Sequence, residues 1–165
     1  MDNLKNPALI VLAWGNISRG DDAAGPVLSD KIQKLNLDGG VLQEDLQLNI
    51  EHVMDLHSQI PVLFIDASSK PRQGYYLERI SPEPDSSIST HSVSPSALLH
   101  LFEKTNGSSA PEAFMLHISG KEFELGEAVS QHTQAALELA WEYLQDLFSM
   151  PREQWLPNLR MSCAK

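Results

Sequence analysis

Ala8-Leu9-Ile10-Val11-Leu12-Ala13-Trp14-Gly15-Asn16-Ile17-Ser18-Arg19-Gly20-Asp21-Asp22-Ala23-Ala24-Gly25-Pro26 reads as a buried strand that empties into a turn carrying two adjacent carboxylates. A second apolar run, Pro61-Val62-Leu63-Phe64-Ile65, also ends in an acid, Asp66, and an isolated histidine, His91, follows in a Ser/Thr-rich stretch. Ligands of open α/β sheets gather at the carboxyl ends of the strands. The two strand-terminal acid groups are therefore expected to converge there on a metal or a polar substrate.

Outward from that stretch, strands and helices alternate. Leu28, Ile32 and Leu35 recur at helical spacing after Pro26, a residue suited to a first helical turn. Gly39-Gly40 breaks the chain before a second strand over residues 41–46, and Asn49 is placed to cap a short helix over residues 50–56. Tyr75 to Ile80 is β-propense and suits a sheet edge, whereas residues 81–90, with two prolines and several serines, read as a loop. Ser94-Pro95 is an N-cap followed by a first-turn proline, and it opens a helix through Leu98, Leu99, Leu101 and Phe102. Another strand is expected from Ala113 to Ile118. A long helix from about residue 130 to 148 then carries Leu137, Trp141 and Leu144 on one stripe. This order predicts a three-layer α/β/α sandwich with a mostly parallel, twisted central sheet of about five strands. Residues 1–150 are expected to form a single domain, and residues 151–165 an irregular tail.

The chain has 165 residues, 42% of them hydrophobic, enough to bury one core, and its length does not call for a second domain. It has no apolar run of about 18 residues or more, and its first six residues lack the basic-then-apolar order of a signal peptide, so a soluble cytoplasmic protein is expected. A formal charge of −10 disfavours a nucleic-acid partner, because phosphate binding rests on clustered Lys and Arg. The single cysteine, Cys163, excludes an internal disulfide, and its place near the end makes it a poor pre-organised nucleophile.

Asp21 and Asp22 stand where the first helix begins, and capping plus the helix dipole explains an acid there. Two adjacent carboxylates rarely both cap, however, and Gly15, Gly20 and Gly25 around them suggest a tight loop in which backbone approaches something closely. Asp66 is more informative, since a carboxylate entering a buried sheet costs free energy unless it is paired, hydrogen-bonded or bound to a cation. With His91 the acids make an O,O,N set that suits zinc, nickel or another borderline divalent ion. A solvated His91 is the plainer alternative. His117 reads as a core or strand-end residue, and His52, His57, His100 and His132 as surface or packing residues. HExxH, GxSxG and GxxxxGK[ST] motifs are absent, and the first loop lacks the GxGxxG order of a dinucleotide site.

Taken together, Gly15-Asn16 through Asp21-Asp22 to Gly25, the strand ending at Asp66, Gln47-Leu48-Asn49-Ile50-Glu51, and Thr90-His91 ahead of a leucine-rich helix resemble the hydrogenase maturation proteases over roughly residues 8 to 148. In this chain the family's usual GxGN opening is Ala13-Trp14-Gly15-Asn16. The resemblance implies a nickel-dependent, aspartic-type endopeptidase that trims the carboxyl-terminal extension of a nickel-iron hydrogenase large-subunit precursor. It further implies that Asp22, Asp66 and His91 contact nickel, and that the nickel is supplied by the precursor. The partner is then the nickel-loaded precursor, with no organic cofactor, no nucleic acid and no membrane, and the enzyme is expected to be monomeric. Two rivals remain: a metal-dependent assembly chaperone that binds the same precursor without cutting it, and a small-molecule metallohydrolase using the same residues.

Overall fold

The computed structural model describes residues 6–85 and 92–163. Five strands, β1 (Leu9–Trp14), β2 (Gly40–Asp45), β3 (Val62–Ser68), β4 (Tyr75–Ile80) and β5 (Ala113–Ser119), are described together with four helices. The helices are α1 (Ala24–Gln33), α2 (Pro95–Asn106), α3 (Gln131–Ser149) and α4 (Trp155–Ser162), and 3-10 turns span Gly20–Ala23, Ile50–Asp55 and Arg152–Gln154. No described helix is long and apolar enough to cross a membrane.

The strands form one sheet in the order β2-β1-β3-β5-β4. All neighbours are parallel except β4, which runs antiparallel to β5 at one edge. Sequence explains the order. The continuous apolar runs of β1, β3 and β5 are buried on both faces and take the centre, while β2 and β4 carry polar residues that only an edge can leave in water. One face packs Val11, Ile65, Leu116 and Ile118 against α1, α3 and α4. The other packs Leu12, Phe64 and Met115 against α2. The architecture is the expected three-layer α/β/α sandwich.

Local signals position the elements as their residues dictate. Ser94 Oγ accepts the Ala97 N–H at 3.1 Å with Pro95 at the first helical position, and Gly107, at φ 67°, ends α2 in the left-handed conformation. Asn49 caps the 3-10 turn at Ile50–Asp55 by accepting the Glu51 N–H at 3.0 Å, and His52 Nδ1 accepts the Asn49 N–H at 3.0 Å.

The expectation of an irregular tail after residue 150 is corrected. Residues 155–162 form α4, with Trp155 and Leu159 buried in the core shared by α1 and α3. These two residues lie four apart and so share one helical face. Pro157 is tolerated because it falls within the first turn, where backbone N–H groups have no intrahelical partner. The Trp155 indole N–H donates to the Met150 carbonyl at 3.1 Å, and Arg160 grips Glu112 with two bonds of 2.7 Å.

Candidate active site at the carboxyl rim of the sheet

From β1 the chain leads to β2 on one side and β3 on the other, so the order of connection reverses between β1 and β3. That reversal opens a crevice at the carboxyl ends of the two strands. Asp22 lies in the loop leaving β1, and Asp66 lies near the end of β3. They flank the crevice.

The loop after β1 folds back tightly over the strand it leaves. A Cβ at Gly15 would run into the Asp22 carbonyl oxygen, and one at Gly25 into the Trp14 carbonyl. Backbone thus touches backbone at both ends of the loop, which only glycine permits. Gly20, at φ 55°, passes equally close to the Glu122 carbonyl. The close approach expected of this loop is to its own chain.

The two adjacent aspartates part company here, and neither caps a helix through its side chain. Asp21 is fully buried. Its Oδ2 accepts the N–H groups of Lys121 and Glu122 at 2.7 and 2.8 Å and the Ser130 hydroxyl at 2.8 Å, and its Oδ1 accepts the Ser130 N–H at 2.7 Å. Burial alone would raise its pKa, but these four donors outweigh it and hold the group at about 2. Asp21 therefore latches the loop between β5 and α3 to the loop after β1, a role that local sequence does not signal because its partners lie about a hundred residues away.

Asp22 is only half-buried, and its Oδ2 accepts the Asn16 N–H at 2.6 Å. That bond spans the Gly15-Asn16 turn and leaves oxygen lone pairs for another partner. Asp66 is pushed up to about 7, mainly because the end of β3 withholds water, and also because the negative Asp22 lies near it. Against these act the Ala67 N–H, 2.8 Å from Oδ1, and the Trp14 indole. Trp14 itself packs edge-on against Phe64 at 6.0 Å, which fixes one wall of the crevice. Local sequence gives no sign of that contribution, because Phe64 lies fifty residues further along the chain.

Two of the three proposed ligands, Asp22 and Asp66, thus come together. His91 falls outside the described residues, and among the described residues no three His, Cys, Asp or Glu side chains gather as a metal site. His117 is a strand-end residue whose Nε2 lies 3.1 Å from Glu78. His52 is buried beside Asp45, and His132 lies 2.7 Å from the Ser119 hydroxyl, so each is held by a polar partner. Chemically, two carboxylates face one crevice, and Asp66 can gain or lose a proton near neutral pH.

No protein-family model matches the chain, and no curated protein does. Solved structures do. The NiFe hydrogenase maturation protease HycI from Thermococcus kodakarensis KOD1 is 16% identical, with a TM-score of 0.64 over 86% of this chain and 92% of that one. The hydrogenase maturating endopeptidase HybD from E. coli is 18% identical, with a TM-score of 0.62 over 82% and 88%. The hydrogenase 2 maturation peptidase from Thaumarchaeota archaeon SCGC_AB-539-E09 gives 18%, 0.59, 84% and 95%. Across nearly their whole length, then, this chain has the fold of the hydrogenase maturation proteases.

Proposed function

We propose that the protein is an endopeptidase that removes the carboxyl-terminal extension of a nickel-iron hydrogenase large-subunit precursor. The observation that carries this proposal is the pairing of Asp22 with the high-pKa Asp66 at the β1/β3 crevice of a fold shared with maturation endopeptidases. Nickel arrives with the precursor as part of the substrate, and Asp22, Asp66 and His91 receive it. The cation polarises the scissile carbonyl or a water, while a carboxylate of the crevice handles the proton that the attacking water loses and the leaving amine gains. The enzyme acts as a cytoplasmic monomer, and cleavage is aspartic-type in that carboxylates carry the chemistry.

Intact-mass measurement of a nickel-loaded precursor after incubation with the protein tests this. A precursor shortened by one carboxyl-terminal fragment is expected. A bound but unshortened precursor would make the protein a chaperone, and hydrolysis of small amides without any precursor would make it a small-molecule hydrolase.

A further inference from the structure

Beside Asp66, one strand further along the sheet, lies a second cleft. Asp66 and His117 are register partners on β3 and β5, and His117 is in turn paired with Tyr76 on β4. Register partners project to the same face, so the three side chains form a row across the carboxyl rim. The cleft continues that row, with Lys70, Arg72, Tyr76, Glu78, His117 and Ser119 in its lining.

Its charge is unlike that of the rest of the molecule. The chain carries a formal charge of −10, and four of its ten described lysines and arginines are matched: Lys34 with Asp30, Arg79 and Arg160 with Glu112, Arg152 with Asp38. Lys70 and Arg72 have no acidic partner among the described residues. The one carboxylate in the cleft, Glu78, is taken by His117 at 3.1 Å.

The cationic wall is also built rather than loose. The Arg72 guanidinium lies over the Tyr76 ring, 3.9 Å from its centroid, and Tyr76 leans on His117 with ring centres 5.8 Å apart. Stacking occupies the guanidinium face and leaves its in-plane N–H donors to form a fork. The loop bearing it is pinned to the end of β5, because the Ser119 hydroxyl donates to the Arg72 carbonyl, the Ser119 N–H donates to Gly74 at 3.0 Å and the Gly120 N–H to Ser68 at 2.8 Å. A planar, pre-positioned donor fork with a lysine beside it matches a carboxylate.

We propose that this cleft is a subsite for a peptide carboxylate, either a chain terminus or an Asp/Glu side chain, held by Arg72 with Lys70. Its place beside Asp66 makes it a specificity subsite for the extension of the precursor, and in that respect it rests on the function proposed above. Carboxylate binding itself does not.

Two-dimensional NMR of the full chain, following the Arg72 Nε–H and the His117 ring, tests it with three probes: N-acetyl-tetraalanine with a free carboxyl terminus, its terminal amide, and N-acetyl-Ala-Glu-Ala-Ala-amide. The expected result is that at least one carboxylate-bearing peptide shifts these signals, that the neutral amide binds at least tenfold more weakly, and that Arg72→Ala removes the difference. Whichever acidic peptide binds identifies terminus or side chain. Equal binding of the neutral amide, no shift with either acidic peptide at millimolar concentration, or an unchanged preference in Arg72→Ala would overturn the subsite. Failure of the wild-type protein to cut the nickel-loaded precursor, with carboxylate binding intact, would instead overturn the endopeptidase function alone.

Discussion

Ser130 donates twice to Asp21, from its backbone N–H to Oδ1 at 2.7 Å and from its hydroxyl to Oδ2 at 2.8 Å, so the start of α3 is tied to the loop after β1 through one carboxylate. Asp21→Ala would leave these donors and the N–H groups of Lys121 and Glu122 without an acceptor in a buried place. A loss on the order of 3 kcal/mol in urea unfolding at pH 7 is expected.

The same latch sets an acid limb of stability. Asp21 titrates near 2 in the fold against about 3.9 unfolded, so its contribution is fully present above about pH 4 and fades as pH falls through 2. The amount is on the order of 2 to 3 kcal/mol. Urea midpoints for the wild type and Asp21→Asn should converge as pH drops from 5 to 2.

Asp66 has the opposite sign. Its folded pKa of about 7 lies above the unfolded value, so the stability it contributes is complete below about pH 4 and is lost as pH rises through 7. Asp66→Asn should therefore raise the thermal midpoint at pH 8 and leave it near the wild-type value at pH 4. A variant less stable than wild type at pH 8 would show that the carboxylate is not penalised by burial.

Gly25 packs against the Trp14 carbonyl, and a methyl group there has no room. Gly25→Ala is expected to cost on the order of 2 kcal/mol by forcing backbone apart. Because that movement displaces Asp22 from the crevice, precursor processing should fall further than stability does, which thermal melts and processing assays on one preparation can compare.

Helix α4 belongs to the core. Trp155→Ala should destabilise the chain by about 3 to 5 kcal/mol, as removal of a large buried aromatic does, whereas Arg160→Ala, at an exposed pair, should leave the thermal midpoint close to the wild-type value. Thermal denaturation of both variants distinguishes a docked helix from a dispensable tail.

Much of this architecture is legible in the sequence because its signals are local. The apolar runs at 8–13, 61–65 and 113–118 mark central strands, and Ser94-Pro95 and Asn49 mark helix starts, each within a few residues. Asp66 stands out for the same reason, as an acid attached to an apolar strand. Asp21 and Asp22 are indistinguishable by local pattern, since what separates them is a set of donors at positions 121, 122 and 130. Helix α4 is hidden because two prolines, Pro151 and Pro157, punctuate a segment whose helical stripe consists of only Trp155 and Leu159. The cationic cleft escapes for a third reason: Lys70 and Arg72 acquire meaning only when β4 turns back beside β5.

The most direct test is intact-mass spectrometry of the large-subunit precursor, nickel-loaded and nickel-free, after incubation with the wild-type protein, Asp22→Asn, Asp66→Asn or His91→Ala. Loss of the carboxyl-terminal extension only with wild-type protein and nickel-loaded precursor is the predicted result. Normal shortening by Asp22→Asn, Asp66→Asn or His91→Ala, or no shortening by the wild type, would contradict it.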